Sequence, residues 1–499
     1  MVKEAAIVEG IIWSRLHGPP EAVSLVAQAL TFLVAGAKYT PAFRTGRWDG
    51  RVCLVKRTFP PAFPAGLRSR VRTVLEEAGY KVLGKPPALV RGQPYAPSLR
   101  GVTLRPYQLA VVEAALVERR AILQAPTGSG KTEVGADLVR RLGLPTLWVT
   151  HRTDLLRQTR VRLAERLGVV VGITGGGQHE VYPVTVGMVQ TLIKVQDPEW
   201  WRQWQVLVLD ECHHSSSMTW HTVAGRCVGA PWRYGLSATP LTGDPLRDAK
   251  LEGATGRLIK EVEVAGEPVP LTVERLAADG FLARPRIVWL RPPASSYPTY
   301  EQVREAVLPD WRENPRRLAK LGGKLYAEAY ERGVVRNHPR TTTILRAVFQ
   351  HVQAGEKVLI LCTRIEHGEV LAKNLDCPGL SYLWWLHGAE PPDDRVAALA
   401  QFKQCRGGAA LVASEIFREG MDIPEIDVLV LAGGGKAELA TLQRVGRALR
   451  PRPDKSEVLI YDCWDGRHAE AKKDYLAQHT QERLATYRAQ GFAVEGGDN

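Results

Sequence analysis

Residues 125–132 read APTGSGKT and give the clearest indication of architecture in the chain. A short apolar run, 121–124, precedes them and a helix-like segment follows. A strand, a glycine-rich turn and a helix start form the context that a phosphate-binding loop requires. Gly128 and Gly130 let backbone N–H groups approach a phosphate, and the helix N-terminus adds a favourable dipole. Ala125 replaces the usual first glycine, so a glycine-rich turn without a ligand remains the alternative at this point.

The residues of this loop have distinct predicted roles. Lys131 can reach the β- and γ-phosphates of a nucleotide, and the Thr132 hydroxyl can coordinate Mg²⁺. ATP and Mg²⁺ are therefore the expected cofactors. The predicted nucleotide-binding residues of the loop are Thr127, Gly128, Ser129, Gly130, Lys131 and Thr132.

An acidic pair, Asp210 and Glu211, ends the apolar run VLVLD. A buried parallel strand delivers such carboxylates to the C-terminal edge of its sheet, where nucleotides bind. Asp210 can hold Mg²⁺, and Glu211 can orient and deprotonate the attacking water. The alternative is a chance acidic pair at a strand end, which the phosphate loop upstream disfavours.

One shorter motif precedes the phosphate loop, and another follows the acidic pair. In LRPYQ, Arg105 and Gln108 precede the loop. A glutamine amide can bond the N6/N7 edge of adenine, which favours ATP over GTP. In SATP, Ser237 and Thr239 can sense the nucleotide and couple it to a neighbouring domain. Each motif is weak by itself, because a glutamine that opens a helix and a strand that exits into a turn are both common.

A basic segment, QRVGRALR, and a glycine-containing turn, REGMDIP, lie in the C-terminal half. Arg447 and Arg450 are spaced to share one helical face, and they suit arginine fingers that reach a γ-phosphate. Gln443 belongs to the same predicted catalytic segment. Gly420 and Asp422 of the turn could contact the ribose. A solvated basic helix face is the alternative for the two arginines.

Length and composition bound the class of protein. A chain of 499 residues suggests about three or four domains. No run approaches the ~18 apolar residues of a membrane span, and the N-terminus lacks the apolar core of a signal peptide, so we expect a cytoplasmic protein. The seven cysteines form no CxxC pair, which indicates neither a zinc ribbon nor a disulfide framework. The net charge of +13 suits an anionic partner.

Alternating apolar runs and amphipathic segments predict an α/β protein with two parallel-sheet domains. The predicted strands cover 121–125, 146–150, 184–188, 206–209 and 234–237 in the first domain, and 357–362, 384–387, 409–414, 428–432 and 457–463 in the second. The predicted divisions are a small basic N-terminal α/β domain (1–95), the loop-bearing domain (96–280), a helical insertion or bridge (281–340), the second α/β domain (341–466) and a helical tail (467–499).

Residues 38–72 have a one-sided charge. This segment contains nine Lys or Arg residues and one acidic residue, Asp49, and aromatic residues lie between the basic ones. Basic side chains suit phosphates and aromatic rings suit bases, so we expect a nucleic-acid surface that includes Arg47 and Trp48. The alternative is a solvated basic face whose aromatic residues belong to the core.

Seven motifs, LRPYQ, APTGSGKT, THRTDLLRQT, DECH, SATP, REGMDIP and QRVGRALR, occur in the order of the superfamily 2 helicase motifs. The set spans residues 104–450, and the chain most resembles the phage UvsW and XPB-like DNA helicases of that superfamily. The continuation GLSATPLTGDPLRD supports this, and RTGRWDGRVCLV is similar to the small UvsW N-terminal domain. The resemblance implies two tandem RecA-like motor domains with ATP bound between them.

The resemblance also implies nucleic-acid contacts. The positions that match such contacts are Arg152, Gln190 and Thr191 in the first motor domain and Thr363, Arg364 and Ser414 in the second. Ser414 departs from the threonine that many relatives carry, but its hydroxyl remains, so we expect function to be kept.

The implied activity is ATP-driven translocation on DNA, in the 3′ to 5′ direction, with single-stranded and branched DNA as partners. Fork remodelling, branch migration and strand annealing are the expected reactions. An RNA helicase is one alternative, because the core motifs do not distinguish the sugars. A motor subunit of a restriction or defence assembly is another. A non-catalytic binder is disfavoured, because Lys131, Asp210 and both arginine fingers are present.

Overall fold

The computed structural model describes residues 3–84, 91–213, 218–314, 317, 320–414, 426–435, 457–467, 474–489 and 491–496. The chain divides into two compact units. The first runs to Leu271, and the second begins at Thr272, so the division lies before the predicted limit at 280.

The first unit begins with a small α/β domain. Its four-stranded sheet has the order β5-β2-β1-β6, in which β1 pairs antiparallel with β2 and parallel with β6. Two further strands, β3 and β4, form an antiparallel ribbon. Its strands are β1 (Lys3–Val8), β2 (Trp13–His17), β3 (Thr31–Leu33), β4 (Arg51–Cys53), β5 (Ala62–Pro64) and β6 (Tyr80–Leu83). Its helices are α1 (Pro20–Ala29), α2 (Pro41–Arg44) and α3 (Arg68–Glu77).

The loop-bearing domain follows within the same unit. Its eight-stranded sheet has the order β10-β9-β11-β8-β12-β13-β7-β14 and is parallel except at β10. Its strands are β7 (Arg120–Gln124), β8 (Thr146–Thr150), β9 (Val171–Gly175), β10 (Gln178–Glu180), β11 (Val184–Met188), β12 (Val206–Asp210), β13 (Trp232–Ser237) and β14 (Arg257–Ile259), with a hairpin of β15 (Glu261–Val264) and β16 (Glu267–Pro270). Its helices are α4 (Pro106–Glu118), α5 (Lys131–Leu142), α6 (Thr153–Leu167), α7 (Val189–Leu192), α8 (Pro198–Arg202), α9 (Met218–Arg226) and α10 (Pro245–Ala254). All five predicted strands are present.

Tight backbone packing joins the N-terminal domain to this sheet domain. A Cβ at Gly66 would collide with the carbonyl oxygen of Glu252 at the end of α10. A Cβ at Gly253 would lie 2.8 Å from Cβ of Pro64. The buried Arg120, at the start of β7, donates to the Ile11 carbonyl at 2.6 Å. The two domains therefore form one body.

Residues 92–96, at the predicted limit between the first two domains, are fixed by hydrogen bonds. Gly92 donates to the Leu142 carbonyl at 2.8 Å, and Tyr95 donates to the Arg140 carbonyl at 3.1 Å. The Arg140 side chain in turn binds the carbonyl of Ala96 at 3.0 Å. These residues belong to the loop-bearing domain, whose packing begins a few residues before the predicted limit at 96.

The second unit is built on a seven-stranded parallel sheet, with the order β19-β20-β18-β21-β22-β17-β23. All five strands predicted for this domain are present. Its strands are β17 (Arg284–Leu290), β18 (Lys357–Leu361), β19 (Leu380–Leu386), β20 (Gly408–Ala413), β21 (Val428–Leu431), β22 (Glu457–Cys463) and β23 (Ala493–Glu495). Its helices are α11 (Val273–Ala278), α12 (Tyr300–Val307), α13 (Gly322–Tyr330), α14 (His338–Gln353), α15 (Ile365–Lys373), α16 (Pro392–Gln404) and α17 (Tyr475–Ala489).

The predicted helical insertion and helical tail are each wrong in part. Residues 284–290, placed in the insertion, form β17, which lies inside the second sheet beside β22. Its buried side chains are Pro285, Ile287 and Trp289, and the arginines at 284 and 286 obscured the alternation. The tail contains the expected helix but ends in β23, which adds to β17 at the sheet edge. Helices α12 and α13 and the first residues of α14 do lie in the predicted insertion, between residues 300 and 340.

A buried charge network fastens the C-terminal helix to the second sheet. Asp465 accepts hydrogen bonds from Arg340 at 2.7 Å and from Tyr297 at 2.9 Å. Arg483 of α17 donates to Asp462 at 2.9 Å. Desolvation opposes ionisation of Asp465, but the guanidinium groups of Arg340 and Arg483 and the hydrogen bond from Tyr297 together outweigh it, and they hold the pKa of that carboxyl below its ordinary value. Removing one partner of such a pair typically costs about 3–5 kcal/mol.

Candidate functional site

The C-terminal edge of the first sheet carries most of the predicted residues. The phosphate loop follows β7, the SATP motif follows β13, and the acidic pair ends β12. Arg152 follows β8, and Gln190 follows β11. Because β7, β13, β12, β8 and β11 are consecutive neighbours in the sheet, the residues predicted for nucleotide chemistry lie on one part of the edge, and the predicted nucleic-acid contacts lie on the next part.

The geometry of the loop suits a phosphate. Gly128 and Gly130 have φ values of +87° and +83°, which glycine adopts without strain. A Cβ at Gly130 would lie 2.3 Å from the side-chain nitrogen of Gln108, so any other residue there would displace that amide. Lys131 opens α5, and its ammonium binds the carbonyls of Ala125 at 3.0 Å and Pro126 at 3.1 Å. A cation held across the loop, ahead of a helix N-terminus, fits the phosphates of a nucleotide. Thr132 follows in the first turn of α5, half-buried.

The acidic pair has an unusual environment. Burial, reinforced by the Glu211 carboxylate, raises the pKa of Asp210 to about 7. Two contacts favour its charged form, the indole N–H of Trp148 at 3.2 Å and the nearby Lys131 ammonium. Glu211 has a φ of +51°, and its backbone N–H donates to Oδ1 of Asp210 at 3.0 Å. A left-handed conformation costs a non-glycine residue roughly 1–2 kcal/mol, and strain of this kind is concentrated at functional sites. A buried carboxylate that two donors hold in place fits a divalent cation.

Polar contacts link the acidic pair to the SATP motif. Nδ1 of His213 lies 3.1 Å from the Ser237 hydroxyl and 3.4 Å from a Glu211 oxygen. The Thr239 N–H donates to the same hydroxyl at 3.2 Å. These contacts connect Glu211 to the segment that leads to α10, and the coupling role of Ser237 and Thr239 stays a prediction.

Gln108 lies next to the loop, and Arg105 is the N-cap residue of α4. Oε1 of the buried Gln108 accepts the backbone N–H of Arg105 at 2.8 Å and so caps α4. The side-chain nitrogen of Gln108 faces Gly130. The contact with adenine remains a prediction, and the structure adds a helix-capping role for the same amide.

The predicted strand contacts of the first domain lie together. Arg152 is the N-cap residue of α6, and the side chain of Gln190 donates to the His151 carbonyl at 2.9 Å. Thr191 follows in α7. Sequence reasoning missed the triglycine Gly175–Gly177, which begins at the last residue of β9; all three φ values are positive, and Gly176 faces Thr153. Three consecutive glycines were the available signal, because successive backbone N–H groups in such turns form anion-binding concavities.

The second unit brings Thr363, Arg364 and Ser414 to one sheet edge, because β18 and β20 are paired neighbours. Arg364 is exposed at the N-terminus of α15, and Ser414 is buried. The ring of Tyr330, which sequence reasoning missed, lies 5.7 Å below the Arg364 guanidinium. The Tyr330 hydroxyl donates to the Gly433 carbonyl. The last residue of α13 therefore supports the predicted contacts. Gly420, Asp422, Gln443, Arg447 and Arg450 lie outside the described residues.

The basic surface of the N-terminal domain is smaller than the sequence suggests. Arginines of α3 form ion pairs within the protein: Arg70 pairs with Glu252 at 2.6 Å, and Arg72 pairs with Glu76 at 3.0 Å. Arg47 is exposed and has no carboxylate partner among the described residues. The half-buried Trp48 donates its indole N–H to a backbone carbonyl at 2.8 Å and holds the turn before β4.

The helices of the described residues include none with the length and apolar character that crossing a membrane requires.

Three family models match the chain. The model described as Type III restriction enzyme, res subunit, matches residues 101–242. Helicase conserved C-terminal domain matches residues 340–452. DNA helicase UvsW, N-terminal, matches residues 21–84. The three matches fall on the first motor domain, the second motor domain and the N-terminal domain.

Curated relatives cover most of the chain. The DNA 3′-5′ translocase XPB2 of Sulfurisphaera tokodaii is 27% identical over 72% of this chain and 81% of its own length. The ATP-dependent DNA helicase uvsW of Enterobacteria phage T4 is 24% identical over 93% of this chain and 92% of its own length. Among solved structures, the DNA-bound DUF1998 helicase MrfA has a TM-score of 0.51 at 14% identity, covering 76% of this chain and 48% of its own, which is a likeness of fold.

Proposed function

The chain is an ATP-dependent helicase of superfamily 2 that resembles UvsW and XPB, and we propose that it moves 3′ to 5′ along DNA and remodels branched DNA. The observation that carries the proposal is the order of functions along the first sheet edge. The nucleotide loop, the acidic pair and the SATP motif are followed, strand by strand, by the predicted backbone contacts. Hydrolysis at the nucleotide residues can then change how tightly the neighbouring residues bind the DNA backbone.

The residues of the site have different proposed roles in ATP hydrolysis. Lys131 and the loop N–H groups orient the phosphates, and Glu211 takes the proton of the attacking water. Asp210 and Thr132 are the proposed ligands of Mg²⁺, which when bound neutralises charge on the phosphates. His213 and Ser237 carry the change at Glu211 toward Thr239. Arg447 and Arg450 are the proposed arginine fingers, with Gln443 beside them. Gly420 and Asp422 are the proposed ribose contacts.

The N-terminal domain supports the choice of branched DNA. It presents the exposed Arg47 and is fixed to the first motor domain by the packing of Gly66 on Glu252. A basic module held rigidly on one motor domain can grip duplex beside a junction while the motor tracks one strand. The similarity of residues 21–84 to the UvsW N-terminal domain supports this assignment.

The decisive experiment measures the ATPase rate with no addition, with single-stranded DNA, with a forked or four-way DNA junction, and with structured RNA. We expect strong stimulation by DNA, highest with the junction. Stimulation by RNA alone would replace the DNA assignment with the RNA helicase alternative. No stimulation by any of these would favour a motor subunit that needs a partner. Strand displacement on 3′- and 5′-tailed duplexes gives the direction.

A further inference from the structure

Phe59 is fully exposed, more than any other large apolar side chain of the described residues. It lies at the tip of the connection between β4 and β5, which we call the Phe59 loop (residues 56–62). Contact of an aromatic ring with water is unfavourable, and burial of the ring against a binding partner would be favourable. Single exposed apolar side chains are common on protein surfaces, so the case for a ligand rests on the loop that holds this ring and on the charges around it.

Hydrogen bonds close the Phe59 loop at its base. Lys56 and Ala62 form a two-way backbone bridge, with N–O distances of 2.7 and 3.3 Å. Above the bridge, the Thr58 hydroxyl donates to the Pro60 carbonyl at 2.8 Å. The backbone that carries the ring is thus held in a closed turn, and little backbone freedom remains to be lost when the ring meets a ligand.

The loop is also fastened to the sheet of the domain. The Leu16 N–H of β2 donates to the Pro61 carbonyl at 2.9 Å, and Phe63, two residues later, is completely buried. The Lys56 ammonium lies 3.6 Å above the ring of Trp13. One aromatic residue of the FPPAF sequence anchors the loop in the core, while Phe59 faces solvent.

The charge around the ring indicates a polyanion. Lys56 and Arg57 flank Phe59 directly, and both are exposed. Arg51, on the strand that leads into the loop, and Arg47 before it are exposed as well. None of these four has a carboxylate partner in the described part of the chain. An apolar ring between unpaired cations matches a nucleic acid, whose phosphates lie beside stacking bases.

We propose that Phe59 stacks on the base pair that faces the branch point of a DNA junction, with Arg57 on a neighbouring phosphate. The inference rests on the proposed function, because it assigns a contact on branched DNA. A branch point offers a base face without the cost of opening a continuous stack, whereas insertion within a duplex costs a few kcal/mol per step. A loop with one exposed ring is suited to stacking on the base face at a branch point.

The test uses the full chain and compares Phe59→Ala and Phe59→Trp with the unaltered protein. Val8→Ala is the matched control, because Val8 is an exposed apolar residue on another strand of the same domain. The ligands are a fork with 2-aminopurine at the branch pair, the blunt duplex of the same sequence, and single-stranded DNA. Affinity and 2-aminopurine fluorescence are measured, together with the ATPase rate on single-stranded DNA.

We expect Phe59→Ala to weaken fork binding about tenfold, within the range found for loss of one aromatic–base stack. The fluorescence change at the branch pair should disappear, while single-strand affinity and single-strand ATPase stay unchanged. Phe59→Trp should keep both fork signals, and Val8→Ala should match the unaltered protein.

The opposing results separate this inference from the function on which it rests. If the unaltered chain prefers the fork and Phe59→Ala keeps that preference, the Phe59 contact is overturned and the branched-DNA function stands. If Phe59→Ala weakens all three ligands equally, or changes sedimentation of the free protein instead, the ring serves another purpose. If the unaltered chain shows no fork preference, the proposed function fails and this inference fails with it.

Discussion

The indole N–H of Trp148 on β8 donates to Oδ2 of Asp210 at the end of the neighbouring β12, at 3.2 Å. The six-membered ring of the same indole lies against α5, where a Cβ at Gly135 would be 2.5 Å from it. One buried side chain therefore touches both the helix that follows the phosphate loop and the carboxylate predicted to bind Mg²⁺. Its hydrogen bond favours the ionised carboxylate, which metal binding requires.

Trp148→Phe should weaken the response to Mg²⁺ while the fold is kept. The ring volume is mostly retained, but Asp210 loses a hydrogen bond to a charged group, worth about 1.5–3 kcal/mol. We expect the Mg²⁺ concentration for half-maximal ATPase to rise roughly tenfold or more, and Mg²⁺-dependent nucleotide affinity to fall in parallel. Trp204→Phe is the control, since Trp204 is equally buried and its indole nitrogen has no partner among the described residues. Equal responses of the two variants would contradict the assignment.

Asp210→Asn should stabilise the protein above neutral pH while it abolishes hydrolysis. Burial raises the pKa of Asp210 to about 7, so between about pH 4 and 7 the folded state binds more protons than the unfolded state. Stability contributed by this group is therefore present at low pH and is lost as pH rises toward 7. The amide cannot ionise and avoids the loss.

Calorimetry without Mg²⁺ at pH 5 and pH 8 measures this effect. The stability gain of Asp210→Asn should be of the order of 2–4 kcal/mol at pH 8 and smaller at pH 5. Asp248→Asn is a control for the charge change, since Asp248 is a half-buried carboxylate that accepts backbone N–H bonds at the start of α10. A gain that is independent of pH would contradict the raised pKa.

The parts of the fold that could be predicted depend on local pattern. Strand β12 and the acidic pair at its end follow from a continuous apolar run, and the loop before α5 follows from its glycines. Strand β17 could not be recognised, because arginine and proline interrupt its alternation and its partner β22 is remote in sequence. Long-range pairing also determines which basic residues are available to a ligand. Arg70 lies in the segment predicted to bind nucleic acid, but it forms an ion pair with Glu252 of another domain, which the sequence does not indicate.

The candidate site shows the same limit. The order of motifs identified Asp210 and Ser237, since each ends a strand of one parallel sheet. Nothing in the sequence marked Trp148, because a tryptophan in an apolar strand is ordinarily a core residue. Its hydrogen bond depends on which strands are neighbours and on the glycine in α5 that makes room for the ring. Tyr330 was missed for the same reason, since its partner Gly433 lies far along the chain.

Arg450→Ala should lower kcat for ATP by about 10³-fold or more, the magnitude that arginine fingers contribute, while nucleotide affinity is largely kept. Lys131→Ala should abolish hydrolysis and weaken binding as well, because the ammonium is part of the phosphate loop. ATPase kinetics and a fluorescent nucleotide titration separate the two effects. Arg488, an exposed residue of α17, gives a charge-matched control variant. Undiminished turnover in Arg450→Ala would remove that residue from the proposed catalytic set.

Arg47→Ala should reduce the salt dependence of duplex binding. An arginine that neutralises one phosphate contributes about 0.9 to the slope of log affinity against log salt concentration. The expected change is thus a slope smaller by about one, measured by fluorescence anisotropy between 50 and 300 mM salt. Lys81→Ala removes the same charge from a residue paired with Glu4 and should leave the slope unchanged. Equal slopes for Arg47→Ala and the unaltered chain would assign Arg47 to a solvated face.

Gly66→Ala should loosen the N-terminal domain from the first motor domain. The new methyl group would collide with the backbone carbonyl of Glu252 and lie 2.8 Å from that of Gly253, and neither atom can rotate away. We expect faster hydrogen exchange at the docking contacts, weaker fork binding, and unchanged ATPase on single-stranded DNA. Gly225→Ala is the control, because open space surrounds that position in α9. Fork binding that survives measurable loosening would mean that the N-terminal domain acts as a tethered module and does not need its fixed position.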